Sequence, residues 1–108
     1  MNTDCLVKLV LQGKKTATTS LYEIDSLPKI GDISILTDSN HNDICITKTT
    51  NVLVIQFKNI NWDLAKLEGE NNSLEEWRKV HKDYFSKIES TFNEETKVIF
   101  EIFEVVEI

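Results

Sequence analysis

The string Ser73-Leu74-Glu75-Glu76 opens the stretch that most constrains how this chain can fold. It is a capping box: the Ser73 hydroxyl accepts from the Glu76 amide, and the Glu76 carboxylate reaches back to the helix start. Behind it, Leu74, Trp77, Val80, His81, Tyr84, Phe85 and Ile88 recur at helical spacing. The spacing predicts one long amphipathic helix to about Ser90. So broad and aromatic a stripe needs an apolar surface from another element to cover it.

That surface comes from strands. Ile33–Thr37, Ile44–Thr50 and Val52–Phe57 are rich in β-branched residues, and Asp38–Asp43 reads as a polar hairpin connection. The second and third runs can be one strand continued through a bend. Lys97 to Ile108 closes the chain as a strand, and its apolar parity shifts between Ile102 and Phe103, which predicts a bulge there. At the start, residues 4–12 read as a helix whose apolar positions exceed one stripe, so it is expected to be well buried. Gly13 fits its left-handed end. Lys14 to Ser20 is extended and Ser26 to Asp32 is a loop. Residues 61–67 form a short helix capped by Asn61, and 68–72 a loop. The order is helix, strands, two helices, closing strand. No alternation of a doubly wound parallel sheet and no phosphate-binding GxxxxGK[ST] is present. One α+β domain over 1–108 is expected.

Charge narrows the functions. Lys and Arg number 12 against 18 Asp and Glu, a net charge of −6. That balance disfavours wrapping long nucleic acid, which needs a broad basic face, but allows a local pocket for one nucleotide. Arg78 is the only Arg, so an Arg-built phosphate clamp is not expected. Cys5 and Cys45 lie in no metal-ligand spacing and read as buried thiols of a reducing cytosol. No signal peptide and no membrane span are legible, so a cytoplasmic protein is expected.

Four elements carry candidate chemistry: Gly13–Ser20, Asp32, the Glu68-Gly69-Glu70 loop, and the Trp77/His81/Phe85 ridge. A Lys15 amine in a dry pocket can act as a base, with Thr18 as a nucleophile or water-orienting hydroxyl and Glu70 handling the proton. The plain alternative is a solvated Lys, strand-forming Thr residues and a solvated loop acid. His81 reads either as a cleft residue or as a core histidine with one bonded nitrogen, and Trp77 either as a cleft wall or as packing. Asp32 reads as a site acid or as a turn residue that binds backbone amides.

Three blocks in order resemble the ASCH domain, its bacterial stand-alone subgroup above all. They are Gly13-Lys14-Lys15-Thr16-Ala17-Thr18-Thr19-Ser20, Pro28-Lys29-Ile30-Gly31-Asp32, and the run from Glu68-Gly69-Glu70 through Trp77, Arg78 and His81 to Phe85. The resemblance implies a PUA-like fold, a small mixed β-barrel with flanking helices beside a cleft for RNA or a modified nucleoside or nucleotide. One bacterial branch of the family hydrolyses the amide of N4-acetylcytidine with a Lys, a Thr and a Glu, which fall on Lys15, Thr18 and Glu70. Thr16, Ser20, Asp32, Trp77 and His81 are then the implied substrate contacts, with no metal and no cofactor. Another member is a ribonuclease, and a non-catalytic RNA-binding module is the further alternative. Ser20 stands where the family often has Arg, which removes a planar donor fork. Stand-alone members often carry an aromatic-rich segment ahead of the first helix, and this chain is expected to lack it.

Overall fold

In the computed structural model, which describes residues 3–107, four strands form one antiparallel sheet. The elements are α1 (Thr3–Leu11), β1 (Ala17–Leu21), β2 (Ile33–Thr37), β3 (Asp43–Gln56), α2 (Trp62–Ala65), α3 (Leu74–Ile88) and β4 (Lys97–Glu107). The spatial order is β1-β4-β3-β2. Short 3₁₀ turns at Ile24–Ser26, Phe57–Asn59 and Lys66–Glu68 bridge them. The sheet curls into a half-barrel of PUA-like α+β type, as the sequence leads one to expect.

The two apolar runs of the middle segment are one continuous β3. Its partner registers jump from Thr49↔Phe103 to Asn51↔Ile102, so the extra residue at this bend is Thr50 of β3. The parity shift in β4 is therefore real, but the bulge belongs to the opposite strand. A parity break seen in one strand does not say which partner holds the inserted residue. A second step, from Ile46↔Glu107 to Thr47↔Val105, leaves Val106 of β4 unpaired. Such bulges bend their strands and increase the local twist, which curls the sheet.

The capping box forms as expected at one end. The Ser73 Oγ accepts from the Glu76 amide at 3.1 Å, but the Glu76 carboxylate turns one residue further back, to the Asn72 amide. Helix α3 stops at Ile88, two residues short of expectation. Its buried stripe is Trp77, His81 and Phe85, while Tyr84 and Ile88 stay exposed. Phe57 stacks on Trp77 with centroids 5.4 Å apart and meets Phe85 and Phe92 edge-on. With Ile60, Val98 and Phe100 these rings form the core.

Two expectations fail. Among its described residues helix α1 buries Val7 and Val10, while Leu11 is 42% exposed, and a hollow lies between its Leu6 and Val10 and the sheet. Cys5, on that helix's outer side, is an exposed thiol, while Cys45 is buried. Among the described residues no helix is long and apolar enough to cross a membrane.

Truncating Phe57 removes the ring shared by three aromatic contacts. Phe57→Ala is expected to lower unfolding stability by about 3–5 kcal/mol, read from urea denaturation. A loss under about 1 kcal/mol would mean that these rings do not form the core.

Candidate functional site

Two chain turns bring the polar residues together. After α1, Gly13 takes φ 74° and the Lys14 and Lys15 amides both donate to the Leu9 carbonyl, at 2.9 and 3.1 Å. The chain is thus reversed just before β1. Thr16 then docks on the other turn: its amide donates to Leu67 O at 2.7 Å and its hydroxyl to the same oxygen at 3.3 Å. Gly69 ends the Lys66–Glu68 turn in the left-handed region, at φ 71°. A Cβ at Gly69 would stand 2.1 Å from Lys14 O, so only Gly fits there. This close approach sets Glu68 and Glu70 on either side of the Lys15 amine.

Lys15 is 8% exposed. Its Nζ donates to Ala17 O at 3.0 Å, to Glu70 Oε2 at 3.0 Å and to Glu68 Oε1 at 3.4 Å. Strand alternation does not govern this side chain, because Lys15 precedes β1 and its amine curls onto the Ala17 carbonyl. Three acceptors match the three N–H donors of an ammonium.

Glu68 lies at the centre of the cluster and is 2% exposed. Its Oε2 accepts from Trp77 Nε1 at 2.5 Å and Thr19 Oγ1 at 2.9 Å, and lies 3.1 Å from His81 Nε2. His81 Nδ1 donates to Trp77 O at 2.8 Å, since a carbonyl can only accept. The contact of Nε2 with Oε2 is an ion pair when the ring is protonated. Burial pushes the Glu68 carboxyl up, but the His81 hydrogen bond and charge, the Lys15 ammonium and the Trp77 indole together hold it below the ordinary range.

This cluster forms one wall of an outer hollow of about 520 Å³, which Thr18, Thr19, Glu70, His81, Asp83 and Lys87 also line. A smaller hollow of about 270 Å³ lies toward the sheet and shares Leu6, Lys15 and Thr18 with it.

The implied site residues divide accordingly. Lys15, Thr18, Glu70 and His81 meet at the outer hollow. Trp77 is fully buried and reaches the site only through Glu68. Thr16 serves the joint with Leu67. Ser20 is exposed on β1 and lines neither hollow. Asp32 staples its own turn, its carboxylate accepting from the Lys29 amide at 2.8 Å. Arg78 is structural, with Nη2 donating to Lys58 O and Ile60 O. Glu68 and Thr19 were not singled out by sequence. Two acids flanking a glycine, in a chain with a Lys, an indole and an imidazole to satisfy, were the available signal. Among the described residues no cluster of three His, Cys, Asp or Glu is placed to hold a metal ion.

Comparison with known proteins gives the family. The ASCH domain family model matches residues 1–107. The crystal structure of an ASCH domain from Lactobacillus crispatus JV V101 superposes with a TM-score of 0.90 at 29% identity, covering 97% of this chain and 72% of that one. Protein EF3133 from Enterococcus faecalis V583 gives 0.85 at 26% identity, over 98% and 74% of the two chains. Hypothetical protein PH0355 shares the fold, at 0.65 and 23% identity over 93% and 90%. No curated protein shows a significant sequence match.

Two outcomes follow from this geometry. Gly69→Ala forces a Cβ into the Lys14 carbonyl and is expected to destabilise the fold by more than about 1 kcal/mol in denaturant titration; an unchanged midpoint would refute the close approach. Because the folded Glu68 carboxyl titrates below its unfolded value of 4.5, its stabilisation is complete above that value. It is lost as pH falls from there through the lower folded value. Thermal melts of wild type against Glu68→Gln should differ least at the acid end of that window and most above it. A constant difference across the window would contradict the assignment.

Proposed function

This chain belongs to the ASCH domain family, and from that premise we propose that it is a metal-independent amide hydrolase whose outer hollow takes an acylated nucleoside. One observation carries the reading. A nearly buried Lys15 amine and the Glu70 carboxylate are in contact at 3.0 Å on the wall of a hollow that Thr18 also lines. Moving one proton along that contact turns ammonium and carboxylate into neutral amine and carboxylic acid without changing the net charge. Seating a ligand expels water and favours the neutral pair, since unsolvated charges are costly. The Lys15 amine is then a base next to a hydroxyl nucleophile.

The chemistry balances with Thr18 as the nucleophile. Its oxygen joins the acyl carbon, its proton passes to Lys15, and the C–N bond breaks as Glu70 returns a proton to the leaving nitrogen. Water then displaces the acyl group, giving the free acid and restoring Thr18. Glu68 is a positioning residue: it holds Lys15 from the side away from Glu70, and His81 and Trp77 fix it in turn. Charges around the hollow are mixed, Lys15 and Lys87 against Glu68, Glu70 and Asp83. That suits an uncharged nucleoside better than a run of phosphates. A reducing cytosol would keep the exposed Cys5 thiol free.

A second reading, a nucleoside- or RNA-binding module without chemistry, is favoured by the three acceptors that saturate the Lys15 ammonium.

Incubation with N4-acetylcytidine, followed by chromatography, separates the two. Release of cytidine and acetate is expected, with Lys15→Met, Thr18→Val and Glu70→Gln each slowing it by about 100-fold or more while folding normally by circular dichroism. Absence of turnover in the wild type, or full turnover in Lys15→Met, overturns the hydrolase. Salt-dependent binding of short RNAs without product would then establish the binding module.

A further inference from the structure

The smaller hollow has a chemistry of its own. Leu6, Val10, Leu36 and Phe103 give it an apolar side, and Lys15, Thr18, Ser34, Thr47 and Glu101 a polar one. Glu101 stands directly opposite Thr18 in the β1–β4 register. Opposed residues of antiparallel strands share a face, with Cβ atoms about 4.5–5.5 Å apart. Glu101 Oε2 accepts from the buried Thr49 hydroxyl at 2.5 Å. Among the described residues, no Lys, Arg or His forms an ion pair with this carboxylate. Lys15 also lines this hollow, but its amine is engaged by Ala17 O, Glu68 and Glu70. A half-buried acid left without an ion-pair partner is complementary to a cation that a ligand brings.

Resting on the amide-hydrolase reading, we propose that this hollow is the acyl subsite and that it takes an α-aminoacyl group, held through its ammonium by Glu101. Size decides which half of the ligand goes where. The nucleoside needs the outer hollow of about 520 Å³, which leaves the hollow of about 270 Å³ for the acyl side. An acetyl methyl displaces about one water, ~30 Å³, and would leave that space largely unfilled. Charge decides the rest. In an α-aminoacyl amide the ammonium is carried by the carbon next to the scissile carbonyl. With that carbonyl at Thr18, the ammonium falls beside the residue paired with Thr18, which is Glu101. The reaction stays balanced: water supplies hydroxyl to the acyl carbon and a proton to the leaving amine, releasing an amino acid and a nucleoside.

The test uses three substrates, N4-glycyl-, N4-propionyl- and N4-acetylcytidine. Glycyl and propionyl are nearly equal in size and differ in charge, but the α-ammonium also activates its own carbonyl, so the subsite is read from the change in their ratio on Glu101→Gln. The glycyl substrate is expected to exceed the propionyl one in kcat/KM by about tenfold or more in wild type, and Glu101→Gln should lower that ratio by about tenfold. Equal rates in wild type, or a ratio that survives in Glu101→Gln, overturn the proposal. Should none of the three be hydrolysed, the hydrolase reading fails by itself, and calorimetric affinities judge the subsite. Glycyl binding about tenfold tighter than propionyl supports it, and equal affinities overturn it.

Discussion

A single buried carboxylate organises this molecule. Glu68 Oε2 meets an indole, a hydroxyl and an imidazole, and Oε1 meets an ammonium. A charge at 2% exposure costs several kcal/mol unless its lone pairs are matched, and here the partners come from three parts of the chain. Trp77 and His81 bring α3, Thr19 brings β1, and Lys15 brings the turn before it. Satisfying one acid therefore fixes the helix, the edge strand and the connecting turn relative to each other. The same requirement keeps an amine and a second acid, Glu70, at the rim of a hollow. Core and site are built around the same residues.

Gly69 makes that arrangement possible. It lets two acids leave one tight turn in different directions, with the Lys14 carbonyl pressed where a side chain would be. One acid goes inward and is fixed, and the other borders the hollow. Two carboxylates two residues apart thus acquire separate partners, Trp77, Thr19, His81 and Lys15 for Glu68 and the Lys15 amine for Glu70. The curled sheet does the rest. The bulge at Thr50 lies where β3 passes Ile102 and Phe103, and on β4 Glu101 sits opposite Thr18 beside the smaller hollow.

Local signals were legible in the sequence and partnerships were not. The Ser73 cap, the helix behind it, the left-handed Gly13 and the hairpin after Thr37 each depend on a few neighbouring residues, and each forms. The meeting of Lys15 with Glu70 was implied by resemblance, because the two are 55 positions apart and nothing local joins them. Glu68 was passed over for its neighbour: a loop acid looks solvated until a Trp, a His and a Lys converge on it. Cys5 and the outer face of α1 misled for the opposite reason. Apolar patterning tells that a helix packs, but not how closely it packs or whether a hollow stays between it and the sheet. Likewise, the phase shift in β4 recorded a bulge whose extra residue lies across the ladder.

A crystal structure of Thr18→Val with an N4-acylated cytidine bound would test most directly whether this cluster serves a ligand. The acyl carbon is expected beside residue 18 and within reach of the Lys15 amine, with the nucleoside in the outer hollow. A ligand seated away from Lys15 and Glu70, or contacts to that pair made by phosphate alone, would contradict it.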